Sequence, residues 1–180
     1  IGKVKSFYGN VGVLVKAFAY ILSLGREGLV ETAELSVLNA NYIIEKLRKI
    51  HGYTLPYDSS TPRKHEGVLS AEKMRRDMGV RTLDVAKRLL DYGLHSPTIY
   101  FPLIVKEALM IEPTESYEKE ELDRFIEAMK AISEEAYKEP AKILNAPTNV
   151  AVKRLDEVKA SHPKTMILSW RMYLKRLNKT

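Results

Sequence analysis

The stretch Leu94–Ser116, LHSPTIYFPLIVKEALMIEPTES, constrains the fold more than any other part of the chain. It holds two short apolar runs, Ile99–Val105 and Ala108–Ile111, set among Pro97, Pro102 and Pro113. Runs this short and bounded by proline predict strands, because proline lacks the amide that a helix interior needs. Most of the remaining sequence carries helical periodicity, so only about three strands are available. A small antiparallel or mixed three-stranded sheet with helices packed on one face follows, which is an α+β fold. The same stretch places His95, Ser96, Thr98, Tyr100, Thr114 and Glu115 at the ends of its apolar runs. Hydrogen-bonding groups on proline-fixed loops are expected to form the wall of a site. No complete catalytic set accompanies them, so the chemical centre is expected elsewhere.

In chain order, Ile1–Asn10 opens with alternation of Val4 against Lys3 and Lys5. Gly9, Asn10 and Gly12 predict a turn with Asn10 as a helix N-cap. A glycine-rich turn before a helix can also bind an anion. Val13–Leu24 is apolar nearly all round and predicts a buried helix ended by Gly25. Arg26–Lys49 repeats Leu29, Ala33, Val37, Ala40, Ile44 and Leu47 at three- and four-residue steps, a second helix with one apolar stripe. Tyr53–Lys64 is loop by composition, and His65–Ala71 predicts a short strand. Thr82 is expected to cap a helix that stops at Gly93, and Ser116 a helix with Leu122, Phe125, Ile126, Met129, Ile132 and Ala136 inward. A short helical segment is expected at Arg154–Ala160. Residues 1–50 thus read as paired helices leading into a small α+β domain over 51–160, with a basic tail over 161–180.

The net charge of +6 does not spread over the surface. Eight basic and two acidic residues lie between Lys153 and Thr180, so that segment carries all of it. A basic tail on a neutral domain reads as solvated or partner-facing before it reads as a nucleic-acid footprint. The absence of cysteine excludes disulfides, a cysteine nucleophile and thiolate zinc sites, and accords with a cytoplasmic setting. The apolar run Val11–Leu24 is interrupted by Lys16 and is too short to span a bilayer. The chain begins at Ile1 and enters directly into packed-looking sequence, as a piece of a longer protein would.

Of the four histidines, His51, His65, His95 and His162, no two stand at i, i+4, so a helical zinc motif is not expected. His65 and Glu66 could pair as acid and base, but neighbours on a strand point to opposite faces, which favours a structural His65. His95 sits in a helix-to-strand loop, where it either meets a planar ligand or fixes the loop. Glu112 and Glu115 bracket Pro113-Thr114 as two carboxylates close enough for general acid–base work, though one of them is rather expected to cap a helix or pair with a basic neighbour. Neither a phosphate-binding glycine loop nor a nucleophile elbow occurs.

Several segments taken together resemble the pyridoxal-phosphate-dependent glycine decarboxylases, the P-proteins of the glycine cleavage system, and within them the C-terminal part of the second subunit of the two-subunit form. They are IGKVKSFYGNVGVLVKAFAYI, LSVLNANYIIEKL, DVAKRLLDYGLHSPTIYFPL, EALMIEPTES, ELDRFIEAM and VKRLDEV, covering residues 1–160. The resemblance implies the small C-terminal domain of a fold-type I pyridoxal-phosphate enzyme. It implies an assembly that decarboxylates glycine and passes the aminomethyl group to the lipoyl arm of the H-protein. The cofactor, pyridoxal 5'-phosphate, would be held by a lysine of a large domain outside this sequence. The expected partners are that large domain, P-protein subunit 1 and the lipoylated H-protein, with no nucleic acid and no membrane. The fragment itself is expected to carry no catalytic and no metal-binding residue. Gly9, Asn10, Gly12, His95, Thr98, Tyr100, Thr114 and Glu115 are the positions expected to face cofactor or substrate channel. The family would place a bulkier, aromatic residue at Gly67, which implies a loosely packed strand there. A rival reading is a non-enzymatic α+β binding module whose basic tail docks an acidic protein or RNA.

Overall fold

The structure is a computed structural model that describes residues 2–3, 9–57, 60–166 and 169–178. The alternation expected at Val4 and Lys5 lies outside the described residues. In order, the elements are α1 (Val11–Leu47), β1 (Gly67–Ser70), α2 (Glu72–Met78), α3 (Thr82–Asp91), β2 (Thr98–Ile99), β3 (Ala108–Ile111), α4 (Lys119–Lys138), α5 (Pro140–Leu144), α6 (Glu157–Ser161), α7 (Pro163–Met166) and α8 (Trp170–Leu177). β3 lies in the middle of a three-stranded antiparallel sheet of order β1-β3-β2. The predicted class and strand count both hold.

Pleat alternation sorts the sheet into two faces. Leu69 pairs with Leu109 and Gly67 with Ile111, and this face meets the helices. Leu69 and Leu109 are fully buried in one core with Ile43, Ile44 and Leu47 of α1, Met74 of α2, Leu89 of α3 and Met129 and Ile132 of α4. On the opposite face Val68 and Ala108 form a small cluster with Val105. The helices thus stack on one face and the loop after β2 turns back over the other.

Gly67 is not a loose point. A β-carbon there would sit 2.2 Å from Cγ1 of Ile44, so α1 crosses β1 in contact with its backbone. The expectation of a slack strand is corrected: the missing side chain is what lets the helix approach.

Several boundaries differ from those predicted, among them β1, which is Gly67–Ser70 and not His65–Ala71. Ile99–Val105 is not a strand, since β2 ends at Ile99. Tyr100 adopts φ +58°, donates the last ladder bond to the Ala108 carbonyl, and turns the chain out of the sheet. Thr82 is the first residue of α3 and not its cap. Arg81 is the cap, its amide donating to Asp84 Oδ2 at 2.8 Å. Ser116 bonds Thr114, while Glu118 caps α4 and donates its amide to Glu121. The predicted helix from Arg154 begins at Glu157, because Arg154 reaches back to bond the Ala146 and Ile143 carbonyls and Asp84. Helix α2, with only Met74 buried, had no apolar stripe to announce it.

Gly25 does interrupt α1 as expected, at φ +62° and ψ −170°. The half before it was expected to be buried and is not. Val11, Val13, Leu14, Phe18, Ile21 and Leu22 are all exposed. Only the last turns of α1, from Ala40 to Leu47, enter the core.

Candidate functional site

A cleft of about 410 Å³ opens between the end of β3, the loop after α3 and the first turns of α4. Its bed is Ile43, Ile111, Leu122 and Phe125, and its polar rim is His95, Glu112, Tyr117, Glu121 and Arg124. The fold holds His95 between two pinned neighbours. Gly93 closes α3 and its carbonyl accepts from Arg124 at 3.4 Å. Ser96 donates to the Ala86 carbonyl at 2.5 Å. His95 itself stays exposed at the mouth.

The MIEPTES segment forms the adjoining wall. Asn39 of α1 donates to the carbonyls of Thr114 at 2.9 Å and Tyr117 at 3.3 Å, which ties this loop down. The Thr114 hydroxyl is 2.6 Å from that of Ser116. Tyr20, in the exposed half of α1, donates to Glu115 Oε1 at 3.4 Å. Glu112 faces His65 at 3.6 Å, so this carboxylate does find a basic neighbour, and Glu66 is not that neighbour's partner.

The eight candidate residues therefore separate. His95 lines the cleft, and Thr114 and Glu115 follow directly on Pro113 at its edge. Thr98 opposes Met110, on the sheet face away from the helices. Tyr100 turns toward the start of α3. Burial and then the Glu107 carboxylate push its phenol up, so it stays a neutral hydroxyl. Gly9, Asn10 and Gly12 stand at the far, exposed end of α1, where Asn10 Oδ1 accepts from the Val13 amide at 3.4 Å. Ten residues separate Asn10 from Tyr20, about 15 Å of helix.

Sequence reasoning missed the residues that hold these walls. Asn39 stands one residue, about 100° of helix, away from the stripe residue Ala40, and no pattern marked it. Glu107 carried no signal either. It is buried at φ +50°, and its carboxylate accepts from the Thr82 amide at 2.8 Å and from Arg75 at 2.7 Å. Its carbonyl takes the Ala71 amide and the Thr82 hydroxyl. One residue thus fixes the starts of α2 and α3 and the end of the 100–107 loop.

A second polar cluster is structural. Arg88 grips Glu135 with two bonds of 2.8 and 2.9 Å and Asp91 at 3.0 Å. Tyr92 and Lys142 complete the shell of Glu135, and the Thr148 and Asn149 amides complete that of Asp91. Burial pushes the Glu135 carboxyl up, but the bonds and charges of Arg88 and Lys142 outweigh it and hold it below the ordinary carboxylate range. Asp91 is likewise lowered, its burial offset by the two amides and Arg88. Groups perturbed this way with every partner supplied staple α3, α4 and α5 together.

Among the described residues no group of three or more His, Asp or Glu could hold a metal ion. None of their helices is long and apolar enough to cross a membrane. Among the described residues no lysine lines the His95 cleft.

Residues 32–154 match the family described as "Glycine dehydrogenase, C-terminal domain". The chain belongs to that family. Relatives named "Probable glycine dehydrogenase (decarboxylating) subunit 2" agree. The protein of Pyrococcus horikoshii is 60% identical over 173 residues, 96% of this chain and 34% of its own length. That of Thermotoga petrophila is 53% identical over 171 residues, 95% of this chain and 35% of its own. The chain therefore spans about a third of these relatives. Similarity over 173 of 180 residues also reaches into the tail, beyond the segments through residue 160 that first carried the resemblance. A crystal structure titled glycine decarboxylase (P-protein) of the glycine cleavage system, in inhibitor-bound form, superposes with a TM-score of 0.54 at 26% identity, over 63% of this chain and 24% of that one. The glycine dehydrogenase C-terminal domain is thus the fold that carries the His95 cleft. These matches favour it over the rival binding module.

Proposed function

We propose that this domain forms one wall of the active site in a two-subunit glycine decarboxylase. In that reading the assembly decarboxylates glycine and hands the aminomethyl group to the lipoyl arm of the H-protein. Pyridoxal phosphate supplies the electron sink for that chemistry. Its lysine belongs to a large fold-type I domain, and this chain alone turns over no glycine. The observation that carries the reading is the family match together with a cleft rimmed by His95, Glu112, Tyr117, Glu121 and Arg124. The word "subunit 2" in the relatives' names supports a partner subunit 1. A cytoplasmic setting belongs to the same reading.

Within it, this chain's residues shape and orient. His95 and Arg124 present donors at the cleft mouth, and Glu112, Thr114 and Glu115 present oxygens beside them. The bed of Ile43, Ile111, Leu122 and Phe125 excludes water from that side. Gly9, Asn10, Gly12, Thr98 and Tyr100 serve as contacts to the large domain or channel from their separate places. The same reading divides the chain into lead helices over 1–50, the domain over 51–160 and the tail over 161–180. The exposed apolar half of α1 supports a lead that meets another domain, while its last turns are already core.

The test is reconstitution. The chain is co-expressed with the remaining two thirds of a subunit 2 and with subunit 1, and glycine–bicarbonate exchange is measured. Restored exchange that falls when His95 is replaced by Ala supports the wall. Exchange unchanged by omission of this domain overturns it.

A further inference from the structure

Two helical faces of this chain carry complementary chemistry, and both are exposed. On α8, Trp170, Tyr173 and Leu174 stand at i, i+3 and i+4 and form one apolar stripe, all three exposed. Trp170 and Tyr173 stack with ring centroids 5.3 Å apart, which makes the stripe a broad flat surface. Arg171 and Lys175, one turn apart, flank it. On the second half of α1, Glu27, Glu31 and Glu34 lie on the side away from the buried Ala40, Ile44 and Leu47. None of the three is in an ion pair with a described residue. Val30 and Leu38 beside them are 51% and 63% exposed.

We infer that α8 of one copy docks on this face of α1 in a second copy. Trp170, Tyr173 and Leu174 cover Val30 and Leu38, and Arg171 and Lys175 meet Glu31 and Glu27. The spacing fits: one helical turn separates the two cations, as it separates the two carboxylates, about 6 Å in each case. Each copy carries both faces, so two copies about a two-fold axis make the contact twice. The α8 stripe is exposed, so the chain's own α1 does not cover it. Charge complementarity within one sequence names the second copy as occupant, without an outside acidic partner. This inference concerns a different surface from the cleft and does not rest on the wall reading.

The experiment is sedimentation equilibrium of the 180-residue chain at low and high salt. The expected result is a dimer that weakens with salt, because exposed pairs are screened. Arg171→Glu with Lys175→Glu should weaken it by on the order of tenfold or more, and so should Glu27→Lys with Glu31→Lys. The fourfold variant that carries both reversals should recover the dimer. All four positions are exposed, and circular dichroism checks that the fold survives. Association through the apolar half of α1 would respond to neither reversal. An association indifferent to both reversals overturns the inference, as does a loss that the fourfold variant fails to repair. A monomer at every concentration, or RNA retained by α8 while the α1 reversal is silent, overturns it as well.

Discussion

The Arg88 cluster and the His95 cleft are both polar, both touch α3 and α4, and differ in one respect. In the first, every charged group has its partner inside the chain. Arg88, Glu135, Asp91 and Lys142 satisfy one another, and two backbone amides close the shell. In the second, the polar groups are held in place by their neighbours but face an open cleft. His95 is positioned through its neighbours, by the bond of Ser96 to the Ala86 carbonyl and that of Arg124 to the Gly93 carbonyl. The difference separates polar residues that hold the fold from polar residues the fold holds out.

The sharpest way to break that comparison is Arg88→Ala. It leaves the buried Asp91 carboxylate without a cation and Glu135 with Lys142 alone, and we expect a loss of ~3–5 kcal/mol in urea unfolding. A loss below about 1 kcal/mol would show that the cluster is not a staple. Gly67→Ala comes next, at ~1–3 kcal/mol, because the new methyl meets Ile44. Combined with Ile44→Ala the two costs should add to less than their sum, which a double-mutant cycle reads directly.

Acid should act on the first region. Asp91 and Glu135 have folded-state pKa values below the ordinary carboxylate range. Their stabilisation is therefore complete above that range and is lost as the pH falls through the lowered values. Thermal melting against pH should slope downward there, and Glu135→Gln should flatten the slope. The smallest effect on stability is expected at His95→Ala, within ~0.5 kcal/mol, since the side chain is exposed. The same variant should lower glycine–bicarbonate exchange in the reconstituted assembly. A large loss of stability with unchanged exchange would move His95 into the first region.

The α+β class, the three strands, the break at Gly25 and the inward stripe of α4 were legible because each follows from periodicity or from a breaker residue. The helix starts were less so. Thr82 and Ser116 looked like caps, but neighbouring carboxylates, Asp84 and Glu121, reach the cap amides instead. In the candidate site, the loop placement of His95, Thr114 and Glu115 was legible, while the scatter of Thr98, Tyr100 and the Gly9–Gly12 turn was not. Sequence spacing says nothing of which strand face or helix end a residue occupies after the chain turns.

The sequence by itself determined the class, the element types and the family, since these depend on local pattern and on segment identity. Only the tertiary structure decided that Gly67 is a contact, that Glu107 is a hub and that the apolar start of α1 is uncovered. Each of these depends on what a distant segment does in space. Ile44 must cross β1, the loop from Tyr100 must return to α3, and the core must end at Ala40 before the earlier turns of α1 can meet it.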